Sequence, residues 1–198
     1  MNPRARDGDL TSKARIRNTA LDLYAQYGVD RVSLRAIASE ANVTLGLVQH
    51  HFKTKANLRE AVDQLIVDHF GQAIAEAPAD GSPSQIGTAR DESVRRMLRD
   101  NPTVVNYLRR TLLEPSESRG HLLDALVELT RREVGVLRRS GRASTRRPES
   151  TQVTRILVQQ MGELFLMPMV DAVWDRVAEA DGVGKPRLKI TVEEDSGR

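Results

Sequence analysis

Between Ser33 and Phe52 two short apolar runs of helical spacing stand almost back to back, each introduced by a hydroxyl residue and parted by a turn of about three residues. In the first run Leu34, Ile37, Ala38 and Ala41 fall at i, i+3, i+4 and i+7, one face of a helix, with Ser33 placed to cap it. Asn42 and Val43 then make a tight turn, and Thr44 caps a second helix from Leu45 to Phe52. This is the geometry of a helix-turn-helix, whose second helix enters the major groove of DNA. At 100° per residue, Val43, Leu47, Val48 and His51 turn inward, while Leu45, Gly46, Gln49, His50 and Lys53 turn outward. The outward arc offers an amide for adenine, an apolar tip for a thymine methyl, a glycine allowing close approach and a histidine able to donate to phosphate. A small helical hairpin with a polar solvent face has the same periodicity, and spacing alone does not separate the two readings.

The rest of the chain is helical by the same criterion. Thr11 is a candidate cap for a first helix on which Ile16, Ala20, Leu23, Tyr24 and Tyr27 recur, stopped by Gly28. Lys53 and Thr54 end the helix-turn-helix, and a long fourth helix runs from Lys55 to about Ala77 through Leu58, Val62, Leu65, Ile66 and Phe70. The stretch from Ala77 to Ser84 concentrates Pro, Gly, Asp and Ser and marks a break. Beyond it the pattern predicts helices from Gln85 to Asp100, Thr103 to Glu114, Glu117 to about Ser140, Ser150 to Val170 and Asp171 to Ala180, with Pro168 as a kink or join. The segment after Gly182 alternates enough around Leu188, Ile190 and Val192 for a short strand, and fits a disordered tail equally well. The expected fold is all-α. Its expected domains are 1–55, a helix-turn-helix with a flexible leader; 56–182, a helical effector-binding and dimerisation domain; and 183–198, a tail.

Composition narrows the chemistry. With no cysteine in 198 residues there is no disulfide, thiolate metal site or thiol nucleophile, and a cytoplasmic setting is expected. No leader-like apolar region follows the charged N-terminus, and no uninterrupted apolar stretch reaches the roughly 18 residues of a membrane span, so no membrane partner is expected. A net charge of +3 is a modest bias toward polyanions, with Arg4, Arg6, Lys13, Arg15 and Arg17 crowded at one end; a solvated surface and a nucleic-acid patch both fit. His50 and His51 point about 100° apart on a helix and cannot chelate one ion together, so no metal or other cofactor is expected. His69 and His121 are isolated and read as surface or pocket-edge residues. Gly182-Val-Gly184-Lys185 meets Pro186 where a phosphate loop needs Ser or Thr, and there is no His-Glu-x-x-His or Gly-x-Ser-x-Gly run. Glu163, within an apolar stretch, reads as a helix-interface polar contact. No catalytic residue is predicted, and the chain is not expected to be an enzyme.

The run ALDLYAQYGVDRVSLRAIASEANVTLGLVQHHFKTKANL resembles the DNA-binding signature of the TetR (tetracycline-repressor) family. The matching features are the first helix ending in Tyr27-Gly28, Val32-Ser33, Ile37-Ala38, Val43-Thr44, Gly46, His51-Phe52, Lys55 and Leu58, over roughly residues 11 to 66. Two features depart from the family pattern: Gln49 and His50 stand where it has a tyrosine pair, and Asn42 replaces the turn glycine. The resemblance implies that Ser33, Thr44, His50 and Lys55 touch phosphates while Leu45, Gly46 and Gln49 face bases. Ser33, Thr44 and Lys55 also lie at helix N-termini, where free N–H groups and the dipole favour an anion; Lys53 completes the predicted DNA-binding set.

The resemblance further implies a homodimer on a palindromic double-stranded operator, acting as a repressor released by a small effector. The candidate dimer face, Ile156, Gln160, Leu164, Met167, Val170 and Val173, is broader than one core stripe needs. The candidate effector pocket is Met97, Tyr107, Leu108, Leu123, Met161 and Trp174, chosen for adaptable methionines and for aromatics with a polar handle. A mostly apolar ligand is expected there, with Arg109 or His121 selecting any acidic group.

Overall fold

The computed structural model describes residues 12–113, 119–178, 184–186 and 188–193. Among the described residues there are eight helices and no strand: α1 (Ser12–Tyr27), α2 (Leu34–Glu40), α3 (Leu45–Phe52), α4 (Lys55–Glu76), α5 (Pro83–Asp100), α6 (Pro102–Leu113), α7 (Arg119–Arg139) and α8 (Glu149–Val177). The first four are bounded as the sequence predicts, although Thr11, the candidate cap of α1, lies outside the described residues. Gly28 stops α1 with φ 84°, a left-handed conformation that costs a glycine little, and its N–H closes onto the Tyr24 carbonyl at 2.9 Å.

Three boundaries differ from expectation. Helix α5 begins at Pro83 rather than Gln85, because Ser82 and Gln85 form a reciprocal capping box: the Gln85 N–H donates to Ser82 Oγ and the Ser82 N–H to Gln85 Oε1, at 3.4 and 2.8 Å. Helix α6 starts at Pro102, where a proline's missing N–H costs nothing. The two helices expected on either side of Pro168 are one, α8, with Pro168 inside it. Proline removes one donor from the ladder, but its neighbours Met167 and Met169 are not helix stops, so the helix continues through it.

The chain divides into two compact units, Met1–Leu129 and Thr130–Arg198. In the first, α1 packs against α6 and α4, α4 against α5, and α2 against α3. Its core is filled by side chains such as Ile16, Tyr24, Ile37, Leu58, Ile66 and Leu108, all with no exposed surface. In the second unit, α8 buries only Val153 and Met161. Met169, Val173 and Val177 stand 60%, 53% and 61% exposed. By length and composition alone α8 is long and apolar enough to cross a membrane, and 17% of its apolar window is buried within the chain. The tail forms no strand in its described part; its alternation survives as sidedness, with Ile190 laid so closely over Gly162 that a Cβ there would collide with it, and Lys185 paired with Asp171.

Candidate nucleic-acid interface

Ser33 and Thr44, both singled out in the sequence, each cap the helix they precede. Ser33 Oγ accepts from the Ala36 N–H at 3.1 Å, and Thr44 Oγ1 from the Leu47 N–H at 3.2 Å. In both cases the hydroxyl hydrogen remains to be donated outward, and both residues are exposed. Thr54, read in the sequence only as a breaker, is a third cap: its Oγ1 accepts from the Asn57 N–H at 3.1 Å and donates to Asn57 Oδ1 at 2.9 Å. Three helix N-termini with hydroxyl caps therefore precede α2, α3 and α4. The spacing of Thr54 from an amide three residues on was the signal for it.

The turn between α2 and α3 is built on Asn42, whose φ of 51° lies in the left-handed region that asparagine tolerates better than most residues. Asn42 thus does the conformational work of a glycine, and the Val43 N–H closes the turn onto the Ala38 carbonyl at 2.9 Å. On α3, Val48 and Phe52 are buried, Val43, Leu47 and His51 are half-buried, and Gly46, Gln49, His50 and Lys53 are exposed. The two faces fall as the 100° rotation predicts, with Leu45 half-buried at their edge. Nothing within the chain calls for a glycine at position 46: a Cβ there would meet only Thr44 Oγ1, at 3.9 Å. Its absence leaves a flat surface open to an incoming partner.

Lys53 leaves α3 with φ 60° and ψ −58°, and the Thr54 N–H returns to the Phe52 carbonyl at 2.6 Å. This is the rarer, positive-φ γ-turn, a strained conformation of the kind that collects at functional sites. Lys55 Nζ donates to the Asp30 carbonyl oxygen at 3.3 Å, which ties the start of α4 to the loop after α1. Lys13 Nζ lies 5.9 Å from the Phe52 ring centre. Arg31 and Arg35, which the sequence reading passed over, are exposed beside Ser33 and add positive charge to the face that carries the caps.

Behind this face lies a buried polar cluster that sequence reasoning missed. Asp63 on α4 is 1% exposed; Tyr107 Oη donates to its Oδ1 at 2.6 Å, while His121 Nδ1 and Arg59 Nε lie 3.4 and 3.9 Å from its Oδ2. Burial pushes the Asp63 carboxyl up from its ordinary value, against the pull of Tyr107, Arg59 and His121. Burial likewise raises Tyr107, and holds Tyr24, stacked on it at 6.5 Å, up to about 12. Beside the stack Arg110 on α6 donates to the Ala25 and Gln26 carbonyls at 3.0 and 2.9 Å, a cation capping the C-terminus of α1. An acid inside the apolar stripe Leu58, Val62, Leu65 and Ile66 was the sequence signal for Asp63.

The candidate pocket residues fall in both units. Tyr107 and Leu108 are core of the first unit, Met97 is half-buried, and Leu123 is 40% exposed. Met161 is buried in the second unit, and Trp174 there lines an open groove with Met169, Val170, Val173, Val177 and Pro186. His69 is buried at 2% exposure rather than superficial, and His121 is bound up with Asp63. Among the described residues no three His, Cys, Asp or Glu side chains are grouped to hold a metal ion.

Two capped helices crossing a turn built on Asn42, with a flat polar arc on the second, define a helix-turn-helix DNA-binding domain. Residues 16–62 match the family model described as bacterial regulatory proteins, tetR family. Over this stretch the chain is similar to the DNA-binding domain of that family. Over 79 residues it is 39% identical to the HTH-type transcriptional regulatory protein RaaS of Mycobacterium tuberculosis, covering 40% of this chain and 37% of that protein. Over 72 residues it is 42% identical to an HTH-type transcriptional repressor of the same organism, covering 34% and 36%. The matched stretch thus spans little more than a third of these relatives. The fold extends further: a tetR-family regulator from Syntrophomonas wolfei superposes with a TM-score of 0.68 at 18% identity, over 81% of this chain and 85% of that one.

Proposed function

We propose that the chain acts as a homodimeric transcription regulator, a repressor that reads a palindromic operator and is released by a small, mostly apolar ligand. The observation that carries the DNA-reading part is the exposed arc of α3, where Gly46, Gln49 and His50 are presented over a buried opposite face between hydroxyl-capped helix starts. Gln49 suits bidentate contact with an adenine, Gly46 admits a close base edge, and Ser33, Thr44, His50, Lys53 and Lys55 suit the phosphates on either side. Repression follows the name of one relative, which is called a repressor.

Dimerisation is supported by α8. Its candidate face, Ile156, Gln160, Leu164, Met167, Val170 and Val173, is half-buried or exposed throughout, and large apolar faces of this kind are covered by a partner. A second copy is the occupant that a two-half-site operator demands. The chain then needs neither a membrane nor a cofactor, and it works in the cytoplasm on DNA. Effector release is supported by the buried link from α4 through Asp63 to Tyr107 and Arg110 on α6, and so to the end of α1. A ligand that prefers one arrangement of α4 and α6 biases α1 as well. Gel shifts of the purified chain on selected operator DNA, with and without hydrophobic metabolites, test the reading. Retarded DNA that hydrophobic compounds release is expected, and binding that no sequence improves sinks it.

A further inference from the structure

A second basic excess of this chain lies away from the DNA-binding helices. Residues 131–155 hold eight arginines against two glutamates, a net +6, whereas the whole chain carries +3 and everything outside that stretch is therefore acidic on balance. Within the second unit three of these arginines, Arg146, Arg147 and Arg155, line an open cleft of about 490 Å³ together with Ser144, Gln152, Gln159 and Ile156. None of the three cleft arginines has a carboxylate partner among the described residues. The nearest acid in sequence, Glu149, faces Arg131 Nε at 3.9 Å instead.

Like charges held together without counter-charge repel, so the chain must hold them by other means. It does so through the backbone of the loop between α7 and α8. Gly141 turns with φ 70°, and the Arg142 and Ala143 N–H groups close onto the Leu137 carbonyl at 2.8 and 3.0 Å. Gln152 Nε2 donates to the Ser144 and Arg147 carbonyls at 2.6 and 3.3 Å, and Arg138 donates to the Arg147 carbonyl at 2.9 Å. These bonds fix the loop that places Arg146 and Arg147 on the cleft wall, with Arg155 beside them on α8. Helix α8 starts there on Pro148 with no side-chain cap, so its N-terminal dipole adds to the same positive field. A guanidinium matches phosphate with paired, parallel hydrogen bonds.

We propose that this cleft binds a small polyanion carrying at least two phosphate groups, held by Arg146, Arg147 and Arg155 with Gln152 keeping the loop in place. The site is separate from the α3 arc and from the apolar-effector reading, and stands whether or not either holds. The test is calorimetric titration and thermal unfolding of the full chain with pyrophosphate at fixed ionic strength, beside citrate and sulfate. Saturable binding of pyrophosphate with a rise in Tm is expected, with citrate weaker and sulfate weaker still. The combined Arg146→Ser, Arg147→Ser and Arg155→Gln variant should weaken pyrophosphate at least about tenfold, since charge-assisted contacts are lost. Its unfolding in the absence of ligand should be little changed, because removing like charges relieves repulsion. Lys185→Ala, on the tail, should bind pyrophosphate as the wild type does.

Equal titrations of wild type and triple variant would overturn the site, as would no saturable binding by the wild type. If a random-sequence duplex lost affinity in the triple variant while pyrophosphate bound neither protein, the patch would be a nucleic-acid contact and the small-anion proposal would fall. Operator binding measured alongside keeps the two claims apart: a wild type that takes pyrophosphate but ignores DNA contradicts only the proposed function.

Discussion

Replacing Tyr107 by Phe isolates the bond at the centre of the buried cluster. The ring stays, so no cavity opens and the stack on Tyr24 persists; what goes is a hydroxyl that also bonds with Thr111 and donates at 2.6 Å to an Asp63 oxygen that water does not reach. A hydrogen bond to a charged acceptor contributes about 1.5–3 kcal/mol, and one between neutral groups about 0.5–1.5 kcal/mol. The loss should therefore depend on pH. Tyr107 favours the ionised carboxylate, so the cost of Tyr107→Phe should sit near the smaller figure at pH 4 and grow toward the larger as Asp63 ionises. For a chain of this size a 2 kcal/mol loss lowers Tm by about 4–8 °C. Urea unfolding at pH 4 and pH 8, followed by far-UV circular dichroism, gives both values if the m-value is unchanged. A loss below about 0.5 kcal/mol at both pH values would refute the bond as a structural element. A loss that shrank as pH rose would refute the titration argument.

Asp63→Asn keeps an acceptor for Tyr107 but cannot ionise. In the wild type the native state holds the Asp63 proton at pH values where the unfolded chain, with its pKa near 3.8, has released it, so stability is lost as pH rises through that window. The variant should lack this decline, and identical pH slopes in the two proteins would count against the burial of a titrating acid. Gly46→Ala should stabilise α3 by about 0.5–1 kcal/mol, since nothing crowds the new Cβ, while weakening operator binding; undiminished DNA affinity would show that no base edge comes close there. Lys55→Ala should weaken binding to every sequence and flatten the salt dependence by about one phosphate contact. An unchanged salt slope with altered sequence preference would reverse that assignment. Gln49→Ala should relax discrimination at one or two base pairs by about 1–3 kcal/mol, read from competition with single-substituted operators; equal losses on all of them would mean a phosphate contact.

The helix-turn-helix was readable because its signals are local. A hydroxyl three residues before a free N–H, and an asparagine where the chain must turn left-handed, need no distant partner to be recognised. Arg31 and Arg35 were passed over because an exposed arginine gives no pattern until the surface it joins is known. Further along, helix positions were legible but their company was not. Tyr107 looked like a pocket lining because an aromatic with a hydroxyl fits one; what commits it to the core is Asp63, 44 residues away in sequence. Pro168 read as a kink or join because proline usually breaks a helix; α8 runs through it, so it does not join two separate helices. The arginines around the α7–α8 loop were diluted by an almost neutral overall charge, and only the fold brings them to one cleft.

Selection of binding sites from a random duplex library by the full chain, with sequencing of the bound DNA, tests the reading role of α3 most directly. An enriched inverted repeat is expected, with half-sites centred about 34–36 Å apart as two recognition helices require. Repeating the selection with Gln49→Ala should relax the same position in both halves. Enrichment of no sequence, or a motif that Gln49→Ala and Gly46→Ala leave untouched, would contradict the assignment of the α3 arc as the surface that reads DNA.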